Sequence, residues 1–536
     1  MFMPRQRLSL IWGCFILASG AFSVASLAGV YPFPEFSVIW NAVPNLPVII
    51  SFHLKNISRF GAIGVIMLSM TVVYYTILSS DEFTKNKLNG LIVLSSVMVI
   101  SALCAVNYVQ LLVAVGVVDV IVYSIINLPE AKRQYIYGNF LADFMLLCIL
   151  ALIFGQQGNI NIAGIEEQSQ VWRHRDCIAI MLLACIFIKN GTAFFHTAYQ
   201  KMSELNFARL NFILFAATPL MGLIILQLLK NILMISQYSY PLLKIFAVAG
   251  IVWGGLGALV VDNLKRKSVY LSMFFWGLSL SGFAWLPSFS NRRFYLFLIA
   301  AFLFNNILMF FSKLRNDELK MSRLCGVLQS AKLTFGICII STILYALAWS
   351  LFAGRNLWLT SVGLTAFSFI SAQILSDAFF ANNATGKNNR NIRLFMLEIP
   401  VLIALVTLII YNKQQLLNVW PYIAGCVMVW FAIFISRPLQ KISGLYCSDF
   451  IQKRDVISDI YNFCVLVPIQ VLGRGLRLIV DFMFIEKTVI ASIKSAIRIM
   501  IIIFRRMHND NAWNYVLFLL TGIIIIAASY YNGVVK

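Results

Sequence analysis

Residues 176–200 read DCIAIMLLACIFIKNGTAFFHTAYQ. The run from Asp176 to about Phe194 has the length and apolar character of a membrane-crossing helix, which needs about 20 such residues. It nevertheless contains Lys189, and His196 follows seven positions later. Nothing in the packing of an apolar helix calls for an ammonium group. A charge at mid-membrane costs about 2.5–3.5 kcal/mol on insertion scales, so its presence points to a task.

The rest of the chain places this run in a polytopic protein. Of the 536 residues, 60% are hydrophobic and only 12% are charged, against about 25% charged in a soluble domain. Apolar runs of spanning length are expected at 8–30, 59–80, 88–107, 109–128, 136–155, 176–194, 210–231, 241–261, 268–287, 294–312, 331–353, 357–381, 394–411, 418–436 and 513–532. The runs do not alternate as the strands of a membrane barrel would. Helices satisfy their own backbone polar groups in lipid, so the expected class is an all-α polytopic membrane protein with about 14–15 transmembrane helices.

The net charge of +21 sits mainly in short connecting loops. That is the positive-inside pattern, not a nucleic-acid footprint. With the N-terminus (Arg5, Arg7) in the cytoplasm, basic residues at 132–133, 201–209, 265–267, 313–323 and 387–393, and from Arg437 onward, all fall on the cytoplasmic side. The opposite loops 156–171 and 232–240 lack that bias, whereas Arg292–Arg293 and Arg173–Arg175 run against it. The first run resembles a signal peptide but is long enough to span, and is read as a retained helix. Residues 31–58 are read as an outer loop. Residues 438–511 alternate apolar and basic positions, as in SAIRIMIIIFRRMH, and are read as an amphipathic segment along the surface or flank, followed by a last helix in 512–536. This gives an expected organisation of N-terminal helices and loop (1–87), a core (88–437), the amphipathic segment and the closing helix. The ten cysteines are scattered, with no CxxC pair, so neither a disulfide framework nor a zinc site is expected.

The ionisable residues inside the runs are Asp119, Asp143, Lys189, Lys244, Asp262 and Arg355. Lys244 and Asp262 lie near run ends, where side chains reach water. Asp119 and Asp143 lie deeper. Lys189 is read either as a buried counter-ion or as a proton carrier. Lys189 closes the sixth run and Arg355 the eleventh, five spans apart, so their helices run in opposite directions. Two inverted five-helix repeats (about 88–231 and 241–381), each with a basic residue near a glycine (Gly191, Gly354), match a common transporter plan.

Several stretches together resemble one family. Lys189–His196 is similar to KSAQFPxHxWLPDA of the antiporter-like membrane subunits of respiratory complex I and the large subunits of Mrp-type sodium/proton antiporters, with the same Lys-to-His spacing. AKRQYIYGNFLAD (131–143) is similar to KKAFxxNRxGD, keeping Asn139 and Asp143. NLKRKSVYLS (263–272) is similar to DxKRxLAYST, and WSLFAGRN (349–356) to FSGFFSKD. DIYNFCVLVPIQVLGRGLRLIVDFMFIEK (459–487) resembles the C-terminal segment of subunit L, the mitochondrial NADH dehydrogenase subunit 5 type.

The resemblance implies a midplane proton path. Within it, Lys189 matches the first lysine, and Asp119 lies three residues beyond the family's glutamate position, Gly116. His196 and Asp143 complete the near half. The family's relay histidine corresponds to Phe215, and its distal lysine to Arg355, whose guanidinium does not release a proton. What is implied is a divergent proton- or sodium-translocating subunit of an NADH-quinone oxidoreductase-type or Mrp-type complex. It would sit in a bacterial inner membrane with other membrane subunits as partners. Two alternatives stay open: a non-conducting structural or assembly paralogue, and a membrane partner that energises a soluble enzyme. No cofactor is expected, since there is neither a GxGxxG after a strand nor a cysteine set for NADH, flavin or iron–sulfur clusters. The chain is at most a non-catalytic subunit of a larger enzyme.

Overall fold

The computed structural model describes residues 37–43, 46–51, 82–157, 161–162, 174–192 and 195–285, together with single positions within 62–73 and 297–374 and at 495 and 498. The chain divides into two compact units, Met1–Asp459 and Ile460–Lys536; everything below concerns the first. The expected N-terminal helix, the inverted second repeat, Arg355 and the amphipathic segment lie wholly or largely outside the described residues.

The fold is all-α and polytopic, with one short hairpin among the described residues. Strands β1 (Ser37–Val43) and β2 (Leu46–Ser51) pair antiparallel, Ser37 opposite Ser51, with an irregularity between Trp40 and Val43. This stretch was expected to be a loop. The strands form because both are rich in β-branched residues (Val38, Ile39, Val48, Ile49, Ile50), a local pattern that a search for spans of membrane length passes over.

Helices follow in sequence: α1 (Glu82–Leu103), α2 (Tyr108–Ile125), α3 (Pro129–Gln157), α4 (Arg175–Asn190), α5 (Thr197–Lys201), α6 (Phe207–Ala216), α7 (Thr218–Leu228), α8 (Lys230–Ile235), α9 (Ser239–Val260) and α10 (Leu264–Trp285). They fall close to the expected runs. Among the described residues, four segments are long and apolar enough to cross a membrane: Tyr108–Ile125, Pro129–Gln156, Phe207–Leu228 and Ser239–Leu259. The short α1–α2 link is closed locally. Asn107 caps α2 by accepting from the Gln110 N–H (2.8 Å), while the Gln110 side chain donates back to Ser101 O (3.0 Å). Pro129 starts α3, where its missing N–H has no intrahelical role.

The run expected as one helix at 210–231 is two. Its backbone breaks at Ala217 (φ −118°, ψ −118°), between α6 and α7. Pro219 contributes to the break: it has no N–H to donate to Phe215 O, and it suits the first turn of a new helix. The Trp276 indole N–H of α10 donates to Leu214 O (2.9 Å), so a carbonyl at the break gains a partner from a neighbouring helix. This α6–α7 pair is the centre of the bundle. Its span is 94% buried, against 33% for that of α3 and 39% for that of α9, whose outward residues Phe140, Phe144, Ile245 and Val252 suit a lipid-facing wall.

Helices α9 and α10 pack at backbone distance. A Cβ at Gly254 would lie 2.5 Å from Phe274 N, and one at Gly277 would lie 2.7 Å from Ile251 N. Small residues at such crossings let membrane helices approach closely without a hydrophobic drive. Asn263 in the intervening turn accepts from the N–H groups of Lys265 and Arg266 (3.0 and 3.3 Å) and starts α10.

Candidate functional site

Helix α4 carries Lys189 in its last turn and ends at Gly191, whose φ of +57° is left-handed. Glycine is needed there twice over. The backbone conformation disfavours any Cβ, and the Tyr199 ring occupies the place that a Cβ would take. The Tyr199 hydroxyl then donates to Lys189 O (2.9 Å), fixing the helix end against the following turn.

The lysine head sits between two carboxylates. Lys189 Nζ lies 2.6 Å from Asp119 Oδ2 of α2 and 2.6 Å from Asp143 Oδ1 of α3. The Lys189 side chain is 0% exposed, that of Asp119 11% and that of Asp143 27%, so the pairing lies in the interior with Asp143 nearest its edge. The second oxygen of Asp119 is also engaged. Tyr135 of α3 donates its hydroxyl to Asp119 Oδ1 (2.9 Å) and shares a 2.5 Å hydrogen bond with Thr218 Oγ1, at the start of α7. Thr218 Oγ1 itself lies 3.4 Å from Asp119 Oδ1. Four helices thus converge on one polar cluster, with the break in the central span beside it.

Of the residues expected at the site, the structure brings together Asp119, Asp143 and Lys189. Gly116, the position matching the family's glutamate, has nothing within 4 Å of where its Cβ would be, and Asp119 makes the contact to Lys189 instead. His196 is buried in the turn before α5. Its ring lies 6.2 Å from that of Tyr270 and 6.5 Å from that of Trp253, and neither ring nitrogen has a hydrogen-bond partner among the described residues. Phe215 packs against Phe275 and Trp276 at centroid distances of 6.2 and 6.0 Å, so the matching relay position is occupied by an aromatic stack. Lys244 lies over the Trp285 ring at 5.7 Å.

Two contributors to the cluster, and one buried lysine outside it, were missed by sequence reasoning. Tyr135 and Thr218 supply hydroxyls, which carry no hydropathy signal inside an apolar run. Their one visible cue is position: Tyr135 stands two helical turns before Asp143, and Thr218 directly precedes Pro219. The buried lysine is Lys267. It was read with Lys265 and Arg266 as a loop charge, yet it lies inside α10 and is only 2% exposed.

A family model described as NADH:quinone oxidoreductase/Mrp antiporter, transmembrane, matches residues 105–354, a range containing the whole cluster. Residues 105–354 are thus similar to the transmembrane domain of that family. NADH-quinone oxidoreductase subunit N of Rickettsia bellii is 25% identical over 307 residues, covering 53% of this chain and 66% of the relative. The same subunit of Laribacter hongkongensis is 21% identical over 300 residues, covering 53% and 59%. These matches span less than two thirds of each relative's own length. The solved Mrp complex from Dietzia shares the fold of the antiporter-like domain and its surroundings, with a TM-score of 0.61 and 18% identity over 82% of this chain and 95% of that one. These relatives are named subunit N, whereas the resemblance at 459–487 is to the subunit L type.

Proposed function

We propose that this chain is a divergent ion-translocating antiporter-like subunit of an NADH-quinone oxidoreductase-type or Mrp-type membrane complex, working beside other membrane subunits. The observation that carries this reading is the cluster of one buried lysine held by two carboxylates. With all three groups ionised, the cluster holds one negative charge in excess, and among the described residues Lys189 is the only cation in ion-pair contact with either acid. An uncompensated charge in the interior is costly. The cluster therefore favours one further proton or small cation, and releases it when a neighbouring charge changes. That is the elementary act of a translocation site. The loop-charge pattern supports an N-terminus on the cytoplasmic side of a bacterial inner membrane. The C-terminal stretch supports the subunit L type, with 438–511 as a lateral amphipathic segment.

The test is flux in proteoliposomes with an imposed gradient. Wild type is expected to give an ionophore-sensitive pH change, and Lys189→Arg, which keeps the charge but cannot release a proton, is expected to abolish it. Unchanged flux in that variant would sink the reading. Repeating the assay with a sodium gradient at clamped pH separates the two ions.

One observation favours a second reading, a non-conducting structural or assembly paralogue: Phe215 and its aromatic stack occupy the position where a titrating relay is implied. On that reading wild type carries no flux but co-purifies with other membrane subunits.

A further inference from the structure

The contacts of Asp119 Oδ1 contain an arrangement that the lysine pairing does not account for. Three oxygens form a closed triangle: Asp119 Oδ1, the Tyr135 hydroxyl and Thr218 Oγ1, with edges of 2.9, 2.5 and 3.4 Å. All three residues are buried. The hydroxyls bring two protons to three contacts. With Asp119 ionised, the two hydroxyls either both donate to the carboxylate or donate in turn, one to the other and that one to the carboxylate. In each arrangement one edge has no proton on it. A proton at Oδ1 fills all three edges, because each oxygen then donates once and accepts once around the ring.

We propose that Tyr135 and Thr218 are positioning residues that make Asp119 Oδ1 the proton-accepting atom of the cluster, and that they tie its protonation to the α6–α7 break. Proton uptake from solvent breaks an O–H bond of the hydronium or water that donates and forms one at Oδ1; where both hydroxyls had donated to Oδ1, one of them turns to close the ring. Thr218 is the first residue of α7, immediately after the irregular Ala217. The direction in which its hydroxyl donates is therefore read at the one point where the central span is not held by its own helical hydrogen bonds. The other groups facing Asp119 are Lys189 and Cys185 from α4, Asp143 from α3 and Tyr199 from α5. Lys189 donates to the opposite oxygen, Oδ2, so uptake at Oδ1 keeps that hydrogen bond, while Asp143 remains as the ionised partner of the lysine.

The proposal deepens the translocation reading, and its test does not depend on flux. Infrared difference spectra of the reconstituted protein across the accessible pH range are expected to contain a protonated-carboxyl band for Asp119, assigned by its loss in Asp119→Asn. Tyr135→Phe keeps the ring and removes only the hydroxyl. It is expected to move that band to higher frequency, because a protonated carboxyl that loses a hydrogen-bond partner absorbs higher. Thr218→Val should act in the same direction, and Thr218→Ser should restore wild-type behaviour. If Tyr135→Phe fails to fold, as judged by monodispersity in detergent, the Val/Ser pair carries the test alone. A band unchanged in the Phe and Val variants, or no Asp119 band at all, overturns the proposal. A shifted band in a protein without flux upholds it while removing translocation. Normal flux with an unshifted band does the reverse.

Discussion

At the scale of single residues, the site rests on Lys189 being irreplaceable as a charge. Removing one partner of a buried ion pair leaves the other uncompensated, typically at about 3–5 kcal/mol. Lys189→Ala leaves two carboxylates in that position, so a large loss of thermal stability is expected in detergent. Lys189→Ala combined with Asp119→Asn and Asp143→Asn should recover most of that loss, because neutral amides need no counter-charge. If the triple variant melts as low as Lys189→Ala, the destabilisation comes from lost packing and not from charge. The residues of this network were unequally legible. Asp119, Asp143 and Lys189 stood out because a charge contradicts an apolar run. Tyr135 and Thr218 did not, because tyrosine and threonine are ordinary in membrane helices and acquire meaning only from what they face. Lys267 misled for a related reason: beside Lys265 and Arg266 it reads as one more loop charge, and only the start of α10 at Leu264 turns it inward.

At the scale of elements, hydropathy locates spans well and their internal breaks poorly. Helices α1 to α4, α9 and α10 fall on the expected runs because about 20 apolar residues have few alternatives in lipid. Pro219 lies inside an equally apolar run, so nothing in the window average marks the division at Ala217. Trp276 is the residue that makes this division tolerable. Trp276→Phe keeps the aromatic packing but leaves Leu214 O without its donor, a buried unsatisfied carbonyl worth about 1–3 kcal/mol. A lower melting temperature is expected for Trp276→Phe, and a much smaller change if Pro219→Ala is present, since the restored N–H lets the helix close over the break. Equal losses in both backgrounds would separate the indole from the break. The α9–α10 crossing makes a second prediction. Gly254→Leu places a side chain where Phe274 N stands 2.5 Å from the Cβ position, so the two helices must part. A disulfide engineered across this crossing should form readily in wild type and poorly in Gly254→Leu.

At the scale of the whole molecule, the proposed function raises the question of whether the assembled acid–lysine cluster can drive a path whose implied next position is Phe215. The cluster of Asp119, Asp143 and Lys189 is assembled with ion-pair distances of 2.6 Å, but the central helix then presents Phe215 against Phe275 and Trp276. A phenyl ring neither donates nor accepts a proton, so onward transfer past it has to use water or another side chain. Phe215→His supplies a group that can titrate near neutral pH, in a ring of similar size. If the aromatic stack is what limits flux, Phe215→His in proteoliposomes should conduct faster than wild type, and the gain should vanish when Lys189→Arg is added. A gain that survives Lys189→Arg would mean that histidine opens a leak independent of the cluster. No gain, in a variant that remains folded and monodisperse, would place the limiting step elsewhere and strengthen the structural reading of this chain.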